Sequence, residues 1–459
     1  MSTRTRVLVL VLSLVWFNAS AVAASANRLQ RWISVLTDPD LEGRATGYGA
    51  AAAAAAIESE LKALKLEPAG ESGFDVTSPV VWKMSAEAMF SLGTMTVAPT
   101  IEFDVTSFSD SGTASGIPVF VGYGISAPAL GYDDYRDLDV RGRIVVMMTG
   151  TPGFLAPLGP QNAQLPTIES KAATALAHGA VAAVIVNDPA GYGDGEGQRA
   201  DELFAPKPAA ALAGIVTVRT SKRAFTRAAS GFDLAAAQQE IERSKTPQST
   251  TLETPIQLKV EVTREWTDAV SLVARVPGTS GPPLLLMAHY DGLARGAYEG
   301  DGPYVGADDN ASGVAVVLEV AARLAAKPSA THTVYLIFHD AEELGLMGAT
   351  RTAYFLRSRG IVGNVVNLDM VGRLGGEGLK VFAQPPRCES VAARFPMATQ
   401  CHDVLDSHSD HVPYARLGYD VVSLSTGKGV DYHRASDVPE KLNFRGMMTV
   451  ADLLEGMAR

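Results

Sequence analysis

Five polar clusters carry side chains that could do chemistry. His289-Tyr290-Asp291 closes the apolar run LLLMAHYD, and Gly306-Ala307-Asp308-Asp309-Asn310 follows about twenty residues later. Asp340-Ala341-Glu342-Glu343 ends HTVYLIFHD, and Asn367-Leu368-Asp369 ends NVVNLD. Asp431-Tyr432-His433 lies in a polar turn beyond YDVVSLS. Imidazoles and carboxylates collected at the ends of apolar strands are the donors a hydrolytic metal site needs.

Taken singly, each cluster has an ordinary structural use. A His at a strand end is often a satisfied buried residue, an Asp before a helix is often its N-cap, and acidic residues favour a helix's first turn. The combination is what points to a metal. His289 and Asp291, two apart in extended chain, project to the same side. An imidazole ligand needs an acceptor on its second nitrogen, a task that suits Asp291. Adjacent Glu342 and Glu343 repel unless a cation neutralises one or a proton occupies the other, which suits a ligand beside a general base. A carboxylate in the Asp308-Asp309 turn can use both oxygens to bridge two cations. Two His, two Asp and a Glu then give three ligands per zinc, with a position left for water.

The elements that must hold these residues read as alternating strands and helices. Strands are expected at 256–264, 269–276, 283–288, 333–339, 363–369 and 419–425, with helices at 311–326, 343–357 and 443–457. Such alternation predicts a largely parallel sheet covered on both faces, with sites beyond the carboxyl ends of its strands. Residues 28–66 read as helical, interrupted by Asp38-Pro39-Asp40 and Gly43, and the Ala50–Ala56 run favours helix. Short strands are expected from about 79 to 110. The segment 111–240 differs: short buried strands at 118–121, 144–147 and 181–186, a helix at 169–178, and Gly/Pro-rich loops at 150–166 and 187–209.

A chain of 459 residues with 47% hydrophobic content can fill two cores. Its net charge of −11 comes with scattered Lys and Arg, without the basic stripe of a nucleic-acid binder. Arg4 and Arg6, the apolar stretch Val7–Phe17 and the small residues Ala19–Ala24 form the pattern of a secretory signal peptide. That apolar stretch is too short for a stable membrane span, and no later one is long enough. The expectation is a signal peptide at 1–26 and an exported protein, periplasmic or extracellular, without stable membrane insertion. The two cysteines, Cys388 and Cys401, are expected to pair in an oxidising compartment, closing a loop worth about 3 kcal/mol.

The motifs AHYD (288–291), GADDNASG (306–313), DAEELGLMG (340–348), NLDMVG (367–372), SDHVPYARLG (409–418) and DYHRASDVPEKL (431–442) resemble those of the co-catalytic two-zinc exopeptidases. That family includes bacterial leucine-type aminopeptidases and glutamate carboxypeptidase-like enzymes. Weaker similarity reaches LTDPDLEGRATGYGA (36–50). VFVGYGISAPALGYDDYRDLDVRGRIVVMM and KAATALAHGAVAAVIV resemble a protease-associated domain. The resemblance implies a mixed, largely parallel α/β sheet sandwiched by helices, formed by 27–110 and 241–459. A β-rich α+β protease-associated domain is inserted at 111–240. It implies two zinc ions per chain, His289 and Asp369 on one, Glu343 and His433 on the other, and Asp309 bridging them through a cis Asp309–Asn310 peptide. Glu342 is then the general base, Asp291 orients His289, and Tyr432 steadies the tetrahedral intermediate; Ser409-Asp410-His411 is architectural. Relatives often carry Asn-Val where this chain has DAVSLVARVPG, with Ser271 nearest that position. The implied function is secreted aminopeptidase action on peptides. The alternatives are a carboxypeptidase or dipeptidase of the same family, a glutaminyl cyclase-like acyltransferase, and an inactive receptor-like module.

Overall fold

The computed structural model describes residues 24–459 apart from 100–101, 107, 156–167, 188–214, 230, 294–303, 328–329 and 405–407, and omits the side chains of 82–84. The expected export signal therefore lies almost wholly outside the described residues, as does most of the two expected Gly/Pro-rich loops.

The chain divides into two compact units. One comprises the described residues up to Pro79 together with Thr267–Arg459, and the other Val80–Trp266. The second is wider than the segment 111–240, because long strands, Asp75–Leu92 and Ile256–Val276, carry the chain out and back. The two strands expected at 256–264 and 269–276 are one continuous element. The polar stretch between them does not break the ladder, because it contains neither Gly nor Pro.

In the first unit the sheet runs in the order Thr399–His402, Leu379–Ala383, Asp420–Ser425, Asn364–Leu368, Leu284–His289, Val334–His339 and Ile256–Val276. The central pairings are parallel, and the flanking ones with Ile256–Val276 and between Leu379–Ala383 and Asp420–Ser425 are antiparallel. Alternation along each strand supplies both faces. Leu286, Ala288, Leu336, Phe338 and Val366 pack with the helices 24–36, Ala50–Ala63, Gly313–Ala326 and Phe444–Ala458. Leu285, Met287, Ile337 and Val365 pack with Ala349, Ala353 and Leu356 of Met347–Ser358 and Tyr414 of His411–Arg416. This is the layered α/β arrangement expected.

The expected helix at 343–357 begins instead at Met347. Glu342 and Glu343 sit in a turn, where the N–H groups of Gly345 and Leu346 both bond to the Glu342 carbonyl. The interval 370–418, left unassigned between expected strands, contains Leu379–Ala383, Pro385–Ala392, Thr399–His402 and His411–Arg416, elements too short for periodicity to reveal. Cys388 and Cys401 form a disulfide between the helix and the edge strand of that interval.

The second unit holds a six-stranded mixed sheet, including Val119–Phe120, Ile144–Met148, Ala182–Val186 and Val216–Thr220, with helices Ile168–Ala177, Lys222–Ala228 and Leu234–Ser244. The expected strands at 144–147 and 181–186 and the helix at 169–178 are found within a residue or two.

Candidate metal centre

Three neighbouring strands deliver three of the clusters to one edge of the sheet. His289 ends Leu284–His289, in register with His339 on one side; Asp369 directly follows Asn364–Leu368 on the other. Asp340-Ala341-Glu342-Glu343 follows His339. Asp309 arrives from the turn before Gly313–Ala326, and His433 from the loop after Asp420–Ser425.

These side chains meet in two groups. His289, Glu342 and Asp369 form one, Asp309, Glu343 and His433 the other, and within each the donor atoms lie within 4.8 Å of one another. Asp309 faces both imidazoles: Oδ1 is 3.5 Å from His289 Nε2 and Oδ2 is 3.4 Å from His433 Nε2. Asp369 Oδ1 is 3.7 Å from His289 Nε2, and Glu343 Oε2 is 3.6 Å from His433 Nε2. Those separations are long for hydrogen bonds. Two ligand atoms each 2.0–2.2 Å from one tetrahedral zinc stand about 3.3–3.6 Å apart, so the donors fit zinc. The Asp309–Asn310 peptide is cis.

The electrostatics of the cluster follow from burial. Burial pushes Glu342 well above the ordinary carboxylate range, and the neighbouring Glu343 adds to the shift. Burial followed by Asp309 raises Glu343 to about 8. Burial works in the same direction on Asp309, yet the two imidazoles hold it below the usual range. For His289, burial opposes protonation, and Glu342, Asp291, Asp309 and Asp369 together outweigh it. Closely spaced carboxylates whose ionisation burial opposes form a site that a multivalent cation would stabilise.

The sequence reading gives Asp291 the task of steadying His289. Asp291 Oδ1 is 3.6 Å from His289 Nδ1, whereas the Asp291 carbonyl oxygen is 3.2 Å from that nitrogen. The carboxylate also accepts the backbone N–H groups of Glu342 (3.0 Å) and Glu343 (3.1 Å), fixing the turn that carries the acidic pair. Tyr432 stacks on the His433 ring, centroids 3.7 Å apart. Ser409, Asp410 and His411 are buried behind the sheet, where Asp410 Oδ2 pairs with His339 Nδ1 at 2.9 Å. Ser271 Oγ accepts the Asp340 N–H at 3.3 Å.

Residues absent from the sequence-derived set frame the site. Arg44 is fully buried, and its guanidinium donates to the carbonyls of Tyr290 (2.7 Å), Leu36 (2.5 Å), Val305 (2.7 Å) and Gly306 (3.0 Å). It thereby ties the His289 and Asp309 turns to the N-terminal segment. Asp437 Oδ2 accepts the N–H groups of Asp308 and Asp309 at 2.9 and 3.0 Å. Arg44 and Asp437 do lie inside segments quoted above for their resemblance, but their roles depend on distant backbone groups that no local pattern reveals.

Comparison with known proteins shows what the two parts of the chain are similar to. Residues 271–458 match the model of Peptidase family M28, and residues 111–223 match that of the PA domain. The chain is 29% identical over 184 residues to aminopeptidase YwaD of Bacillus subtilis, covering 36% of this chain and 38% of that protein. It is 36% identical over 139 residues to a probable zinc metalloprotease of Leptosphaeria maculans, covering 27% of this chain and 32% of that one. The chain thus spans only about a third of the length of these curated relatives. The structure of an aminopeptidase from Aneurinibacillus sp. strain AM-1 shares the fold, with a TM-score of 0.62 and 19% identity over 94% of this chain and 92% of the other. A zinc aminopeptidase from Bacillus subtilis superposes with a TM-score of 0.51 and 20% identity, over 94% and 93% of the two chains. The chain shares its fold with these two structures. Its residues 271–458 are similar to Peptidase family M28, and residues 111–223 to the PA domain.

Proposed function

We propose that this protein is a zinc-dependent aminopeptidase with two zinc ions per chain that removes N-terminal residues from peptides. The carrying observation is Asp309, whose two oxygens face two imidazoles, each with a further carboxylate beside it. His289 and Asp369 would hold one zinc, Glu343 and His433 the other, and Asp309 both. When bound, zinc supplies Lewis acidity toward the scissile carbonyl and the attacking water. Glu342, its backbone N–H held by Asp291, takes the proton from that water and passes it to the leaving amine. The Tyr432 hydroxyl, whose pKa is raised by burial and by Asp309 and Glu343, stays protonated and able to donate to a developing oxyanion.

The acidic lining also favours substrates that bring a positive charge. A free α-amine would be received by Glu342 and Asp369. The names of YwaD and of the two structural relatives support the aminopeptidase assignment. Export through an N-terminal signal is part of the same proposal, supported by the pattern at its start; no described helix is long and apolar enough to cross a membrane.

A panel of aminoacyl-arylamides beside their N-acetylated forms tests the substrate end. Losing a charge-assisted hydrogen bond in a closed site costs about 1.5–3 kcal/mol, so acetylation should reduce kcat/KM at least about tenfold. Equal rates on both forms would move the protein to the carboxypeptidase or dipeptidase branch.

A further inference from the structure

Arg373 follows Asp369 by four residues and reaches three carboxylates. Its Nη1 is 2.5 Å from Asp431 Oδ2, its Nη2 is 2.6 Å from Asp437 Oδ1, and its Nε stands 3.3 Å from Asp308 Oδ2. All three carboxylates are buried or nearly so, while the arginine side chain is one-fifth exposed. Each is tied to a residue of the candidate centre. Asp308 precedes Asp309, and its Oδ1 also accepts the Gly372 N–H at 2.8 Å. Asp437 holds the Asp308 and Asp309 N–H groups. Asp431 lies two residues before His433, and its other oxygen accepts from Ser436 Oγ (2.5 Å) and Lys441 Nζ (2.6 Å).

The two groups of donors are not held alike. His289 and Asp369 sit at the ends of hydrogen-bonded strands in mid-sheet, and the sheet itself fixes their spacing. His433 lies eight residues beyond the end of Asp420–Ser425, on a loop with a left-handed φ of 55° at the histidine. No strand sets its distance from Asp309. Asp437, four residues after His433, ties that loop to the Asp309 turn by accepting the Asp308 and Asp309 N–H groups, and the planar guanidinium of Arg373 clamps Asp437 and Asp431 together, holding the loop in shape, with its Nε facing Asp308. A lysine could carry the charge but not present the fork.

The geometry points to Arg373 as a positioning residue that selectively sustains the metal held by Asp309, Glu343 and His433. This inference rests on the two-zinc reading given above. Removing Arg373 should release the His433 loop while the strand-anchored pair His289 and Asp369 keeps its place.

Zinc affinity, measured by competition with a chelating dye on the purified full chain, tests this without reference to activity. The unsubstituted protein should show two tight sites. Arg373→Met should keep one and weaken the other by roughly 10–100-fold, the usual effect of losing a residue behind a ligand. Arg373→Lys should recover part of that loss. Asp431→Asn, which leaves the Arg373–Asp437 pair in place, should weaken the same site in the same direction and serves if the Met variant does not fold. Two equally tight sites in Arg373→Met or Asp431→Asn, or equal weakening of both sites, would overturn the role of Arg373 alone. An unsubstituted chain that binds fewer than two zinc ions would instead remove the two-zinc reading and this inference with it.

Discussion

Replacing Arg44 by Met should be among the most damaging single changes in the first unit. The guanidinium is completely buried, and burial pulls its pKa well down from the ordinary arginine value, to about 10, despite the nearby Asp291, Asp309, Asp437 and Glu343. A shift of that size is a penalty of about 3 kcal/mol. Against it stand four short hydrogen bonds to backbone carbonyls; a fifth, to the Asp309 carbonyl at 3.5 Å, is at the limit of contact. Bonds from a charged donor contribute about 1.5–3 kcal/mol each, so the four together outweigh the burial cost by roughly 3 kcal/mol or more. Met removes the donors and leaves the carbonyls buried without partners. With a denaturant slope of about 1–3 kcal/mol per molar, the urea midpoint should fall by about 1–3 M. The measurement is urea unfolding by far-UV circular dichroism with chelator present, so that zinc binding does not contribute. Arg44→Lys, with three donors on a single nitrogen, should fall by less. A Met variant whose midpoint lies within about 0.3 M of the parent would show that water or relaxation satisfies these carbonyls and would refute the argument.

The other predictions concern the chemistry. Purified protein should contain two zinc ions per chain by elemental analysis, and chelation should remove activity that added zinc restores; a fully loaded sample with one metal would end the bridging role of Asp309. Glu342→Gln should leave metal content intact while lowering kcat by roughly 10²–10⁴-fold, whereas Glu343→Gln should lose one zinc. Loss of metal in both variants would make Glu342 a ligand, as its proximity to His289 and Asp369 permits. Cys401→Ser should lower stability by about 3 kcal/mol at most, since the disulfide closes a short loop at the sheet edge, with no change in zinc content; a metal defect would contradict that separation.

Much of this protein was legible as sequence because the informative signals are local. Apolar runs such as LLLMAHYD and NVVNLD mark buried parallel strands, and a polar residue ending such a run must emerge at the sheet edge, where His289 and Asp369 are found. Even the start of the acidic turn at Asp340 follows from where its strand must stop. The short elements between 370 and 418 were not legible, because four to eight residues hold too few periods for a pattern and are defined by what they pack against.

What only the tertiary structure decided is how the centre is held. Asp309 lies 20 residues from His289 and 124 from His433 along the chain, and nothing local specifies that its oxygens divide between them. Asp291, placed beside His289 by the period of a strand, turns its oxygens to two N–H groups fifty residues away. Arg44 and Arg373 look like ordinary surface cations in the sequence. They become the frame of the site because backbone carbonyls and carboxylates from remote segments converge on them, and the energy of a buried charge is set by that convergence rather than by its neighbours in the chain.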